Sequence, residues 1–381
     1  MKCALILRAP EQVPQSCRNG GADPWADSLV TAPREVDRAG RPRQASGTTV
    51  SASCGAQETD GGLGRGPGGP PRFYRLSVAL LALTLVVCAP AQPVSVINGV
   101  RRLIAQHDLP GAERVARAWQ ARNPASPELA AALSWLARAA LEARNLDQAD
   151  AFAAEAGKMA SRFLIGQKLD DDPWLPTAEG TAIEVHAQVL AARGERPEAI
   201  AYLQTQLKQF AGTSLPERIR KNINLLALEG KPAPPLDLTA AQWLGATPPS
   251  LASLRGHPVL LFFWAHWCGD CKAEVAIIAN IQRTFAPQGL VVIAPTRLYG
   301  YAAGGEDAPA AKEKHYIEEV RRRYYAALPD VPVPLSAANF IAYGASTTPT
   351  LVLIDRAGVV RYYHPGAAGE AELSAKIRAL R

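Results

Sequence analysis

The stretch FFWAHWCGDCKAE, residues 262–274, sets two cysteines, Cys268 and Cys271, two residues apart behind a run of aromatic side chains. The residues leading into it, PVLLFFWA (258–265), form a continuous apolar run that suits a strand buried on both faces. The residues that follow, CGDCKAEVAIIANIQRTFA, carry apolar side chains at helical spacing. The cysteines therefore stand at a strand-to-helix junction, with Cys268 at the helix N-terminus. Free backbone N–H groups and the helix dipole stabilise a thiolate there. Cys271 lies one turn on, facing the same way but deeper. This arrangement suits thiol–disulfide exchange, Cys268 attacking a substrate disulfide and Cys271 resolving the mixed disulfide.

Other roles for the pair fit less well. A disulfide between them closes a very short loop and removes little unfolded-state entropy, so a purely structural staple is a poor reading. A closed zinc site needs four ligands and one CxxC supplies two. The six histidines are scattered without metal-ligand spacing. A copper site from both thiolates and His266 is the conceivable exception. We expect no metal and no bound cofactor beyond the redox-active pair itself, and we expect His266 to be exposed.

Working outward, GLVVIAPTRL (289–298) reads as a second buried strand. The Gly-rich YGYAAGGED (299–307) lacks a phosphate-cradle pattern and reads as a flexible loop near the active site. KEKHYIEEVRRRYYAAL reads as an amphipathic helix. Two strands over 350–355 and 359–364 are joined by a tight Arg-Ala-Gly turn, and AELSAKIRAL closes as a helix. The order strand-helix-strand-helix-strand-strand-helix demands parallel pairing in its first half and a hairpin in its second. That is an α/β domain of thioredoxin topology.

Residues 230–381 also resemble the thioredoxin superfamily, most closely its TlpA/ResA branch of exported thiol-disulfide oxidoreductases. The resemblance is carried by FFWAHWCGDCKAE and by the lead-in GKPAPPLDL. It implies Cys268 as nucleophile and Cys271 as resolving thiol, with Trp264 and Trp267 as the aromatic wall beside the disulfide. Phe262 stands where thioredoxin has a buried Asp, and Glu274 stands where the branch has a Glu. Glu274 is accordingly expected to move the proton of Cys271. Pro349, in STTPT (346–350), is expected to be cis beside the disulfide, with the Thr348 backbone pairing a bound substrate chain. Asp270 inside the pair disfavours thiolate formation, while the helix dipole and Lys272 oppose it. The balance leans towards a reductant.

Upstream, residues 92–229 read as helices. PELAAALSWLARAALEARNLDQADAFAAEA and AIEVHAQVLAARGERPEAIAYLQTQLKQF share one plan. Arg144 and Gly194 take the same turn position, Leu141 matches Ala191, Ala149 matches Ala199 and Phe152 matches Tyr202. This resembles a degenerate tetratricopeptide (TPR) helix-turn-helix repeat, the excess spacing being absorbed by IGQKLDDDPWLPTAEG read as a loop. A third unit is read at 97–125 with Gly111-Ala112 in its turn. Such a domain either docks a protein partner or merely packs. The Pro-rich segment 230–250, with a strand-like PLDLT, marks the boundary.

Residues 1–71 are dominated by Gly, Pro, Ser and Thr and read as a disordered extension. Arg72 and Arg75 then precede a short apolar run, Leu76–Val87, and an A-x-A site at Ala89-Pro90-Ala91, the pattern of a secretory signal over 72–91. Its distance from Met1 suggests a start codon assigned too early, the competing reading being an uncleaved membrane anchor. Cleavage after Ala91 would leave only Cys268 and Cys271 of the six cysteines. An exported, periplasmic protein with a single functional pair follows. Its partners would be protein thiols or disulfides and a membrane or periplasmic electron donor. Nucleic acid is not expected: of the net charge of +6, half falls in residues 1–75, and no basic face is clustered. A helical-repeat binding protein with a thioredoxin-fold scaffold, and a copper-delivery protein, are the competing classes.

Overall fold

The computed structural model describes residues 95–238 and 242–380. The extension 1–71 and the signal segment 72–91 lie outside them. Among the described residues the chain begins as helices: α1 (Val96–Ala105), α2 (Leu109–Gln120), α3 (Pro127–Glu142), α4 (Leu146–Phe163), α5 (Leu175–Ala192), α6 (Arg196–Gln209) and α7 (Pro216–Ala227). Ser95, Asp108, Ser126 and Asn145 cap the first four by accepting a backbone N–H with their side chains. The core between them is rich in alanine, including Ala130, Ala131, Ala137, Ala140, Ala149 and Ala153. Such small side chains let helix axes approach closely. α5 has apolar residues on most of its circumference and is buried accordingly.

The turns α1–α2, α3–α4 and α5–α6 repeat one geometry. In each, the second residue past the helix is left-handed: His107 (φ 59°), Arg144 (φ 60°) and Gly194 (φ 92°). In each, the next N–H reaches back five residues, Asp108 to Leu103, Asn145 to Ala140 and Glu195 to Leu190. The third turn is therefore Gln106–Asp108, and Gly111 and Ala112 lie inside α2, a correction to the sequence reading. The reason is that Asp108 caps α2 and Pro110 is tolerated in a first helical turn. Ala112, Ala149 and Ala199 then stand at equivalent buried positions. The segment read as a loop at 165–180 contains a short 3-10 turn at Leu169–Asp171, and from Leu175 onward it is already α5.

The α/β part comprises β1 (Trp243–Leu244), β2 (Val259–Phe263), α8 (Gly269–Phe285), β3 (Val291–Ile293), α9 (Ala310–Tyr324), β4 (Val333–Pro334), α10 (Ala337–Tyr343), β5 (Thr350–Ile354), β6 (Val360–Pro365) and α11 (Glu370–Arg378). Its main sheet has the order β3-β2-β5-β6, with β2 parallel to β3 and the other pairs antiparallel. All five residues of β2 are buried, as the continuous apolar run requires. Leu260 and Phe262 face a core shared with α8, α9 and α11, while Val259, Leu261 and Phe263 face Phe340 and Tyr343 of α10. The strand read at 289–298 is shorter than expected. Residues 235–238 of PLDLT form no strand: Asp237 is held instead by its N–H donating to Asn339 Oδ1 at 2.6 Å. The short β1–β4 ladder and α10 were not anticipated.

The helical part is joined to the sheet by more than the chain. Gly230 N–H donates to Val360 O (2.8 Å), and Tyr363 N–H donates to Glu229 Oε1 (3.1 Å). Gly344, at φ 59°, lies against the α7 backbone so closely that a Cβ would sit 2.3 Å from Lys221 N. Only glycine serves both its conformation and that approach.

Candidate active site

β2 delivers the chain to the site, and Trp264 anchors its end. Trp264 is fully buried. Its Nε1 donates to Ala294 O (3.0 Å), and Thr296 Oγ1 donates to its carbonyl (2.8 Å). Its ring centroid lies 4.3 Å from that of Tyr325. Trp264 is thus a core residue, whereas Trp267 is half-buried. Phe262, where an acid might have stood, is fully buried and faces Tyr325.

Cys268 and Cys271 are joined in a disulfide with Cα atoms 5.3 Å apart. Cys268 is the N-cap of α8, its Sγ accepting from the Cys271 N–H at 3.0 Å. Cys271 is completely buried, and Cys268 is 3% exposed. Residues 264–267 connect the end of β2 at Phe263 to Cys268, whose extended backbone lets its side chain cap α8. Sγ of Cys268 lies 3.3 Å from Thr348 O. The Thr348–Pro349 peptide is cis. Pro349 is buried and Thr348 half-buried. Thr348 Oγ1 is itself buried without a hydrogen-bond partner among the described residues.

Glu274 lies one turn beyond Cys271 on α8 and is only 4% exposed. Its Oε1 accepts from Ala368 N–H at 3.0 Å, which fixes the carboxylate from the loop between β6 and α11. Asp270 occupies the first turn of α8, where the helix dipole favours an anion. Lys272 Nζ lies 4.7 Å from the ring centroid of Tyr324. The structure therefore gathers Cys268, Cys271, Glu274, Trp267, Thr348 and Pro349 around the head of α8 and the start of β5.

His266 departs from expectation. It is not exposed but 1% exposed, inside a cage of Tyr299, Tyr301 and Tyr316 with centroid distances of 5.5, 5.2 and 5.4 Å. Its Nε2 is 3.3 Å from Oε1 of the buried Glu313. The Gly-rich segment 299–307 causes this: it folds down over His266, pinned by Glu313 accepting from Tyr299 N–H (2.5 Å) and Gly300 N–H (2.8 Å). Three tyrosines at 299, 301 and 316 were the available signal. Sequence reasoning missed them because nothing local ties them to residue 266. Among the described residues, no group of three or more His, Cys, Asp and Glu side chains is arranged to hold a metal ion.

The Redoxin family model matches residues 228–377. The thiol:disulfide interchange protein DsbE of Xylella fastidiosa is 31% identical over 155 residues, 40% of this chain and 68% of the relative. DsbE of Pseudomonas fluorescens is 31% identical over 155 residues, 40% of this chain and 76% of the relative. A solved thiol:disulfide interchange protein of the thioredoxin family from Chlorobium tepidum is 20% identical, covers 39% of this chain and 95% of its own, and gives a TM-score of 0.31. With its Cys268–Cys271 disulfide at the head of a helix on a thioredoxin-type sheet, the chain belongs to the DsbE-like family of thiol-disulfide oxidoreductases.

Proposed function

We propose that this chain is an exported protein-disulfide reductase. The observation that carries the reading is the position of Cys268 Sγ, which caps α8 at 3.0 Å from the Cys271 N–H and lies 3.3 Å from Thr348 O beside Pro349. In the reduced enzyme the Cys268 thiolate attacks one sulfur of a substrate disulfide, and the other substrate sulfur leaves as a thiolate. Cys271, deprotonated with Glu274 receiving its proton, then attacks Sγ of Cys268. The bond to the substrate breaks, the second substrate thiol is released, and the Cys268–Cys271 disulfide forms. Two electrons pass to the substrate, and an external dithiol donor must return two to the enzyme.

Trp267 provides the wall beside the reacting sulfurs, and the Thr348 backbone pairs with the substrate chain in strand fashion. Asp270 supports the reducing direction, because a carboxylate near the thiols makes the reduced form less favourable. Export is supported by the signal-like segment 72–91. The relatives' name, thiol:disulfide interchange protein, favours thiols and disulfides as substrates; with export, the substrates would be proteins and the electron donor membrane-bound or periplasmic. We take 92–229 and 230–381 as the two domains. The threefold turn geometry supports reading the first as degenerate TPR-like repeats, with protein docking as its role.

Reduction of insulin disulfides tests the reading. Wild type should turn over, and Cys268→Ser should lose at least about 10³-fold. Turnover unchanged in that variant would defeat the enzyme assignment. A reduction potential near about −120 mV, that of a strong oxidant, would reverse the proposed direction.

A further inference from the structure

The wall beside the disulfide is built through a chain of contacts that starts in the helical part. Trp267, next to Cys268, meets the ring of Tyr299 edge-on, with centroids 5.6 Å apart and planes at 80°. Tyr299 is held from several sides. Its N–H donates to Glu313, and its ring packs edge-on against His266. The guanidinium of Arg297 lies 4.9 Å from its ring centroid and also 4.9 Å from that of Phe340. Arg297 is in turn fixed by Glu217 of α7, Nη1 to Oε2 at 2.6 Å, across 80 residues of sequence. Glu217 lies outside the segment shared with the Redoxin family.

We propose that Arg297, clamped by Glu217, is a positioning residue that sets the Tyr299–Trp267 wall, so that α7 completes the active site. The assignment rests on reading Trp267 as the substrate-facing wall. An arginine suits the task because its planar guanidinium stacks on a ring while its N–H fork bonds a carboxylate. Both ends of the pair are mostly removed from water, which strengthens the contact with the ring. Without the Glu217 carboxylate the guanidinium loses its fixed partner, is drawn towards solvent, and stops bracing Tyr299. A lysine keeps the charge and the ion pair but loses the stacked plane.

The test is steady-state reduction of a disulfide-bonded peptide by the full chain, with thermal melts alongside. Glu217→Gln, which is isosteric, and Arg297→Lys should each raise KM about 5- to 10-fold, with kcat held within about twofold. The double variant should be no worse than the worse single variant, because both remove one coupled support. Folded variants with wild-type KM, effects that simply add, or a loss confined to kcat and the melting midpoint would each overturn the proposal. Should Arg297→Lys fail to fold, Glu217→Gln decides alone. A wild type without Cys268-dependent turnover would instead defeat the oxidoreductase reading, and Trp267→Ala with unchanged KM would remove the wall on which the inference rests.

Discussion

The two parts of the molecule bury ionisable groups in opposite ways. In the helical part, Glu184 is surrounded by cations: Arg218 at 2.9 Å, Lys221 at 3.3 Å and Arg138 at 3.6 Å. Burial works to raise its pKa, yet Lys221, Arg218 and Arg138 hold the carboxyl well below its ordinary range. In the α/β part, Glu274 sits one turn from a redox cysteine and takes a backbone N–H, and His266 and Glu313 lie under a shell of tyrosines. A carboxylate ringed by cations is locked in one charge state and serves the scaffold. One held by a backbone N–H a turn away from a redox cysteine fits the proton transfer proposed for Glu274.

That contrast can be broken by substitution. Glu184→Gln leaves three buried or half-buried cations without their shared carboxylate and should destabilise the fold by about 3–5 kcal/mol. Denaturant unfolding measures it, and turnover per folded molecule should be unchanged. Glu274→Gln should do the reverse, slowing exchange about 10²-fold with little change in the unfolding midpoint. If both variants lose stability and activity together, the division between scaffold and site fails.

The seam between the parts sharpens the comparison. Gly344→Ala forces a Cβ into the α7 backbone at a left-handed position and should cost about 1–3 kcal/mol. The loss should appear as increased hydrogen exchange in α7 and α10 while the centre of α3 stays protected.

Glu179 gives the smallest effect. Burial raises its pKa from 4.5 to about 7. The folded state therefore holds this proton more tightly than the unfolded chain. The resulting stability is present below about pH 4.5 and is lost as pH rises through about 7. Glu179→Gln should flatten that slope and gain on the order of 1 kcal/mol at pH 8, read from unfolding curves across pH.

Much of the fold was legible because periodicity is local. The apolar run 258–265 specified a strand buried on both faces, and β2 is one. Ala149 and Ala199 could be aligned because each follows a turn whose left-handed residue, Arg144 or Gly194, stands five positions before it. The first such turn was misplaced by a few residues, since Gly111 is a stronger turn signal than His107, and His107 adopts φ 59° only because the flanking helices over-determine it. α10 was missed because its seven residues are too few for a clear helical period. Within the site, the cysteines at the strand-helix junction were legible from local pattern, whereas Glu274 and Pro349 were singled out only through the resemblance to the TlpA/ResA branch.

By itself the sequence determined that two cysteines would stand at a strand-helix junction with an acid one turn on. Strand ends, helix starts and i,i+3 offsets are set by neighbouring residues, so they need no knowledge of distant chain. Only the tertiary structure decided that Trp264 is core and Trp267 half-buried against Tyr299, that His266 is caged, and that Glu217 reaches Arg297. These contacts join residues 30 to 80 positions apart. They exist because closing the sheet and docking α7 bring desolvated rings and charges together, and no local pattern encodes which partner each will meet.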